Sequence, residues 1–168
     1  SVPSKYFPKK LLPEINIEKC KYVSEHTDNY SVEWLIMNPH KMNCFSINTN
    51  DKAVEWLLQH PEKIDCYWFS RNTNDKAVDW LLSHPEKINL LYFSQNTNDK
   101  AVEWLINHPE KIDYFWFSQN KNDKAVDWIL NHPDKIDYSL FSRNINKTVD
   151  WMIQHPHLID YFEFSGNT

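Results

Sequence analysis

Histidine stands directly before proline at His60, His84, His108, His132 and His155. Imidazole is a common metal ligand and proton carrier, so this column is the first candidate for chemistry. Carboxylates form a second column, at Glu55, Asp79, Glu103, Asp127 and Asp150. A hydroxyl column accompanies them, with Ser70 as its example. Each has an ordinary explanation. Residues at the same place in successive units sit about 8–10 Å apart if neighbouring helices pack normally, whereas metal ligands lie about 2 Å from their ion. The histidines are therefore expected to cap or pack at a corner between helices, and no metal site is expected. Five imidazoles along one edge also suggest a weak acid sensitivity, tested by melting at about pH 7.5 and about pH 5.5. The carboxylates alternate freely between Asp and Glu, although a general acid or base depends on reach. They read as a solvated face with lysine partners. Ser70 lacks the glycine-flanked elbow of a hydrolase nucleophile. With Gly166 as the single glycine, a glycine-rich phosphate loop is excluded. No catalytic residues and no cofactor follow, and the chain is read as no enzyme.

The aromatic side chains offer a different chemistry. Eight Trp, eight Tyr and nine Phe occur among 168 residues. One base stacked per repeat is a known design for RNA binding. At helical spacing, however, such residues usually build a core. The formal net charge of −5 also disfavours nucleic acid as the main partner.

Those columns imply a repeating frame. Phe-Ser begins at Phe45, Phe69, Phe93, Phe117 and Phe141, each 24 residues after the last, and again at Phe164 after 23. Trp34, Trp56, Trp80, Trp104, Trp128 and Trp151 run alongside, with a proline five residues after each. A fixed period of this size marks a solenoid. CKYVSEHTDNYSVEW near the N-terminus is a worn copy of YFWFSQNKNDKAVDW, as expected of a terminal unit. Residues 1–12 fit no copy and read as an N-terminal arm or cap. Residues 13–168 read as a single array with degenerate units at both ends.

Within a unit, Asn50 is a good N-cap and Asp51 follows at the positive end of the helix dipole. Polar residues at Lys52, Glu55 and Gln59 form a narrow strip, which predicts a helix of about ten residues buried on most of its surface. Pro61 ends it and suits the first position of a second helix, of about nine residues. Asn72 is expected to close that second helix in the left-handed conformation. Neither helix is long enough to stand alone in water, so stacking must supply the burial. The column Trp68, Tyr92, Trp116 and Leu140 ends in Glu163, which fits an apolar residue that faces a following unit until none follows. The fold read is all-α, an α-solenoid of short helical hairpins. The alternative is a leucine-rich-repeat-like α/β solenoid, because Ile64, Tyr67, Phe69 and Asn72 fit LxxLxLxxN with its asparagine ladder. Against it, the position after the asparagine reads Thr73, Thr97, Lys121 and Ile145, where a buried apolar residue belongs.

HPEKIDCYWFSRN at 60–72, with copies at 84–96, 108–120 and 132–144, resembles tandem repeats abundant in proteins of giant DNA viruses of amoebae. Those are written around Asn-Pro/Asp-Lys-Ile-Asp and Leu-Ser-x-Asn. This chain departs in His before the proline and Phe before the serine. The resemblance covers about 145 residues. It implies a viral origin, a helical stack and a binding role, and it brings no catalytic residues.

Variable places in a fixed frame are where a repeat protein carries its recognition surface. Arg71, Gln95, Gln119 and Arg143 form such a column, with Tyr67 and Phe115 nearby. These are the expected partner-binding residues. The expected function is a non-catalytic scaffold or adaptor for an unknown protein partner. The alternative is an RNA- or cap-like ligand binder using exposed aromatic and Arg/Gln side chains. Cys20, Cys44 and Cys66 are odd in number and lack CxxC spacing, as reduced thiols would. No run of eighteen apolar residues and no secretory leader is visible, so no membrane association and a cytoplasmic location are expected.

Overall fold

The computed structural model describes residues 27–39, 42, 44–141, 151, 153 and 154. The arm at 1–12 and the terminal calls at Cys20, Arg143, Asp150, His155 and Glu163 lie outside the described residues. The chain is an all-α solenoid. Among the described residues there is no strand, so the leucine-rich alternative falls. The longer helices are α1 (Asn29–Met37), α2 (Asp51–Gln59), α4 (Asp75–Ser83), α6 (Asp99–Asn107) and α8 (Asp123–Leu130). Between them stand one-turn helices: α3 (Cys66–Phe69), α5 (Leu90–Phe93), α7 (Tyr114–Phe117) and α9 (Tyr138–Phe141). The longer helices form a layer in which α1 packs on α2, α2 on α4, α4 on α6 and α6 on α8.

Local chemistry explains each boundary. The Asn50 side chain accepts from Lys52 N–H, which satisfies an otherwise orphaned donor at the start of α2. His60 leaves helical geometry at φ −129° and ψ 62°, and Pro61 cannot extend the ladder. The expected second helix is then broken in two. Pro61–Lys63 forms a 3-10 turn, and Ile64 and Asp65 are extended. Asp65 caps α3 by accepting from Tyr67 N–H at 3.0 Å. Proline does start a turn as expected, but a second cap residue follows four positions later and restarts the chain in a new direction. Asn89, Asp113 and Asp137 occupy the same place, and Asn89 and Asp113 likewise cap their helices.

The left-handed closure expected at Asn72 is also absent. Among the described residues only Cys44 has positive φ, at 57°. The first unit is two residues shorter here, since Trp34 and Trp56 are 22 apart where later tryptophans are 24 apart. Its chain turns through Cys44 into a 3-10 turn, Phe45–Ile47, in place of a one-turn helix.

The core is one continuous column. Ala53, Val54 and Leu57 of α2 are buried, as are Ala77, Val78 and Leu81 of α4, and their equivalents in α6 and α8. Phe69, Phe93, Phe117 and Phe141 insert from the other layer and are buried. Each meets the tryptophan of the following unit edge to face, with Phe93–Trp104 centroids 5.7 Å apart. The longer helices are less buried than their narrow polar strip implies. In α2, Asp51, Lys52, Glu55 and Gln59 are exposed, and Trp56 and Leu58 only half-buried. Their outer side carries charge in place of a second layer. Lys100 reaches back to Asp79 of the preceding unit at 2.8 Å and to Asp75 at 3.8 Å. Lys52–Glu33, Lys76–Glu55 and Lys124–Glu103 repeat the pairing.

Buried polar residues lock one unit to the next. Asn72, Asn96 and Asn120 are buried. The Asn96 amide donates to the carbonyls of Ser70 and Asn72, at 3.0 and 2.9 Å, while its oxygen accepts from Asn98 N–H. Ser70 Oγ donates to Cys66 within its unit and accepts from Asn89 N–H of the next. A buried amide must find partners, and here the neighbouring backbone supplies them. The asparagine ladder that suggested a leucine-rich strand is therefore real, but it is mounted on a helical unit.

Candidate functional site

Arg71, Gln95 and Gln119 each occupy the turn directly after a one-turn helix. Their backbone N–H groups close that turn onto Trp68, Tyr92 and Trp116. The next residue is in each case a buried ladder asparagine, which leaves the turn side chain facing outward. Arg71 is exposed, and the two glutamines are half-exposed. The structure brings these three residues together around one concavity of about 210 Å³. Thr97, Asn120 and Lys121 complete its lining. Sequence reasoning missed Thr97 and Lys121. They stand one place past the ladder asparagine, where the same outward turn continues, so their variation beside a constant asparagine was the available signal. The lining carries two cations and no carboxylate. Arg143, the fourth member of the column, lies outside the described residues.

The two aromatic candidates have separate settings. Tyr67 on α3 is 44% exposed, yet its ring lies 3.9 Å from that of Tyr92 on α5. The Tyr92 hydroxyl donates to the Tyr67 hydroxyl. That bond, then burial, pushes the Tyr92 phenol above its ordinary value of 10.0, while the Arg71 charge pulls it down. Tyr67 is thus partly engaged in joining units. Phe115 on α7 is 47% exposed and meets its neighbour Trp116 edge-on at 5.1 Å. It stands two units from Tyr67, and half-buried Leu91 holds the equivalent place between them. The candidates therefore form a polar concavity flanked by dispersed aromatics.

The histidines cap helix ends. His60, His84, His108 and His132 each bring Nδ1 to the carbonyl of the tryptophan four residues earlier, at 2.7 to 2.9 Å. A carbonyl only accepts, so the hydrogen sits on Nδ1. Each imidazole also stacks on that tryptophan, with centroids 3.8 to 4.5 Å apart. In the first unit Asn38 replaces histidine and donates to the Trp34 carbonyl at 2.8 Å. Among the described residues no group of three or more His, Cys, Asp and Glu is arranged to hold a metal. The carboxylates pair with lysines of the following unit, as the overall charge ladder requires. Cys44 and Cys66 are free thiols, and burial pushes the Cys66 thiol up.

Among the described residues no helix is long and apolar enough to cross a membrane. Comparison with family models, curated proteins and solved structures finds no match. The class is defined by the fold itself: an α-solenoid of 24-residue units joined by buried asparagine and serine ladders.

Proposed function

We propose that the chain is a non-catalytic scaffold or adaptor that offers an elongated surface to a protein partner, with Arg71, Gln95 and Gln119 at the contact. One observation carries this reading. Two columns that vary between units, Arg71/Gln95/Gln119 and Thr97/Lys121, meet at a single outward concavity, while the constant Phe, Ser and Asn columns are buried in the stacking. The chemistry available there is hydrogen bonding from amide and guanidinium groups that have no fixed role in the core. Arg71 and Lys121 favour an acidic segment of the partner. The histidine, carboxylate and serine columns each have structural partners, which supports a role without catalysis. If the viral origin implied by the resemblance holds, the cytoplasm of an infected cell is the expected setting.

Affinity capture with the intact chain tests this. A protein recovered in the presence of nuclease, and lost with the combined Arg71→Ala and Gln119→Ala variant, supports the adaptor. The exposed rings of Tyr67 and Phe115 favour RNA- or cap-like ligand binding as a second reading. Salt-dependent RNA binding weakened by Arg71→Ala would support that reading and set aside the adaptor.

A further inference from the structure

Successive copies of one unit act as controls for each other, and one position differs in what fills it. Tyr114 and Tyr138 stand where the two earlier units have Leu90 and Cys66. Each tyrosine lays its ring nearly parallel to the tryptophan of the following unit. Tyr114 meets Trp128 at 6.1 Å and 14°, and Tyr138 meets Trp151 at 6.3 Å and 12°. Each hydroxyl donates back to the proline carbonyl of its own unit, Tyr114 to Pro109 at 2.9 Å and Tyr138 to Pro133 at 3.0 Å. The ammonium of Lys135 stands over the Tyr114 ring at 5.7 Å. A ring wall, a carbonyl acceptor and a cation thus enclose a phenol.

At Leu90 the same niche is open. A cavity of about 290 Å³ is lined by Pro85, Glu86, Ile88, Leu90, Trp104 and Lys111. Pro85, Trp104 and Lys111 are the counterparts of Pro109, Trp128 and Lys135. Leucine lays no ring on Trp104, which keeps its His108 stack and its Phe93 edge contact, and it has no hydroxyl for the carbonyl. The niche opens again in the first unit, where a cavity of about 440 Å³ is lined by the equivalent Pro39, Met42, Trp56 and Lys63. An apolar cavity of about 150 Å³ is enough to admit benzene. The volume at Trp104 therefore exceeds what one ring needs.

The geometry points to a binding site at Trp104 for a tyrosyl side chain of a partner polypeptide. The chain's own Tyr114 shows the occupant: a ring parallel to the indole, its hydroxyl donating to a proline carbonyl, and a lysine ammonium over its face. The hydroxyl separates this ligand from a phenylalanyl ring, since the Pro85 carbonyl rewards only a donor. The tyrosyl commitment follows from the template, which reaches the niche from a peptide backbone. The site does not depend on the Arg71 concavity, and either can fail alone.

The test uses the full chain and the indole N–H signals of its tryptophans, with Trp104 assigned by Trp104→Phe. N-acetyl-tyrosinamide should move the Trp104 signal saturably in the millimolar range. N-acetyl-phenylalaninamide should bind at least several-fold more weakly. Leu90→Tyr should abolish the shift, because it supplies the ring internally, and should raise the melting temperature. Leu90→Phe serves as the filling variant if Leu90→Tyr does not fold. Absence of saturable binding at Trp104 would overturn the proposal. So would binding unaffected by filling the niche, or equal binding of the two amides. Binding of p-cresol without binding of N-acetyl-tyrosinamide would overturn the tyrosyl assignment and leave a site for free phenols.

Discussion

The side-chain amide of Asn72 donates to the backbone carbonyl of Asn48, 24 residues earlier, across 2.8 Å. Asn96 makes the same bond to Asn72, and Asn120 to Asn96. Each unit therefore holds the backbone of its predecessor from inside the core. Replacing Asn96 by alanine removes these bonds, which leaves the Ser70 and Asn72 carbonyls without this donor in a dry place and the half-buried Asn98 N–H without this acceptor. The expected loss is about 3 kcal/mol of unfolding free energy, measurable by urea denaturation. Asn96→Asp provides a second signature. A carboxylate there faces carbonyl oxygens and has its pKa raised, so the neutral acid is favoured in the folded state. The variant should be most stable below the unfolded value of about 3.9 and should weaken as pH rises through its raised folded value. Wild type should not share that trend.

The helix-end histidines are interchangeable with a residue that the chain already uses. Asn38 reaches the Trp34 carbonyl as His84 reaches that of Trp80. His84→Asn should keep the hydrogen bond and lose only the ring contact with Trp80. In a Ser83→Ala background, which removes the second donor to the Trp80 carbonyl, His84→Leu should cost about 1 kcal/mol more than His84→Asn, because that helix-end carbonyl then loses its last side-chain donor. Paired thermal melts would decide this. If leucine proved the better of the two, apolar packing against the tryptophan and not the hydrogen bond would be the role of this column.

Cys44 holds a left-handed conformation in which an L-residue other than glycine is disfavoured. Cys44→Gly should stabilise the first unit by about 1 kcal/mol, the left-handed penalty less the added chain entropy of glycine. Cys44→Val should destabilise it. Equal midpoints for the two variants in chemical denaturation would contradict the assignment.

The outer charge ladder gives a pH profile with two distant edges. The Asn74 amide, and after it the Lys76 charge, hold the Asp51 carboxyl below its ordinary 3.8. Asn122 and then Lys124 do the same for Asp99. The stability these carboxylates contribute is present above pH 3.8 and is lost as pH falls through their lowered folded values. Bonds to Glu55, Asp79 and Glu103 raise Lys76, Lys100 and Lys124 above 10.5. Their contribution is present below that value and is lost as pH rises through the raised ones. These pairs are exposed, so their net worth is small. About 1 M NaCl, with a Debye length of about 3 Å, should lower the melting temperature only slightly. A large fall would mean that the ladder, and not the core, carries the stacking.

Much of this was written plainly in the chain. The 24-residue step gave the array, Asn50 gave the start of α2, and Pro61 gave its end. The break before α3 was also legible, in the Asp65, Asn89, Asp113 and Asp137 column of cap residues. It was obscured because Pro61 suits the start of a continuous helix equally well. The role of Asn72 could not be read locally, since its partners Ser46 and Asn48 belong to another unit. Its sequence pattern pointed to a ladder but not to the backbone that carries it. At the candidate site, the Arg71, Gln95 and Gln119 column was read from variation alone. That they share one concavity with Lys121 depends on the outward turn after each short helix, which no single unit specifies.

The central claim is that each unit is stable through its neighbours and not by itself. The most direct measurement inserts a further copy of residues 75–98, in register, after position 98, and follows thermal unfolding by circular dichroism. The added copy brings its own Asn, Ser and Phe links to both sides. Helical signal should rise in proportion to length, and the melting temperature should rise as well. An inserted copy that added helix without raising the melting temperature, or lowered it, would contradict the account.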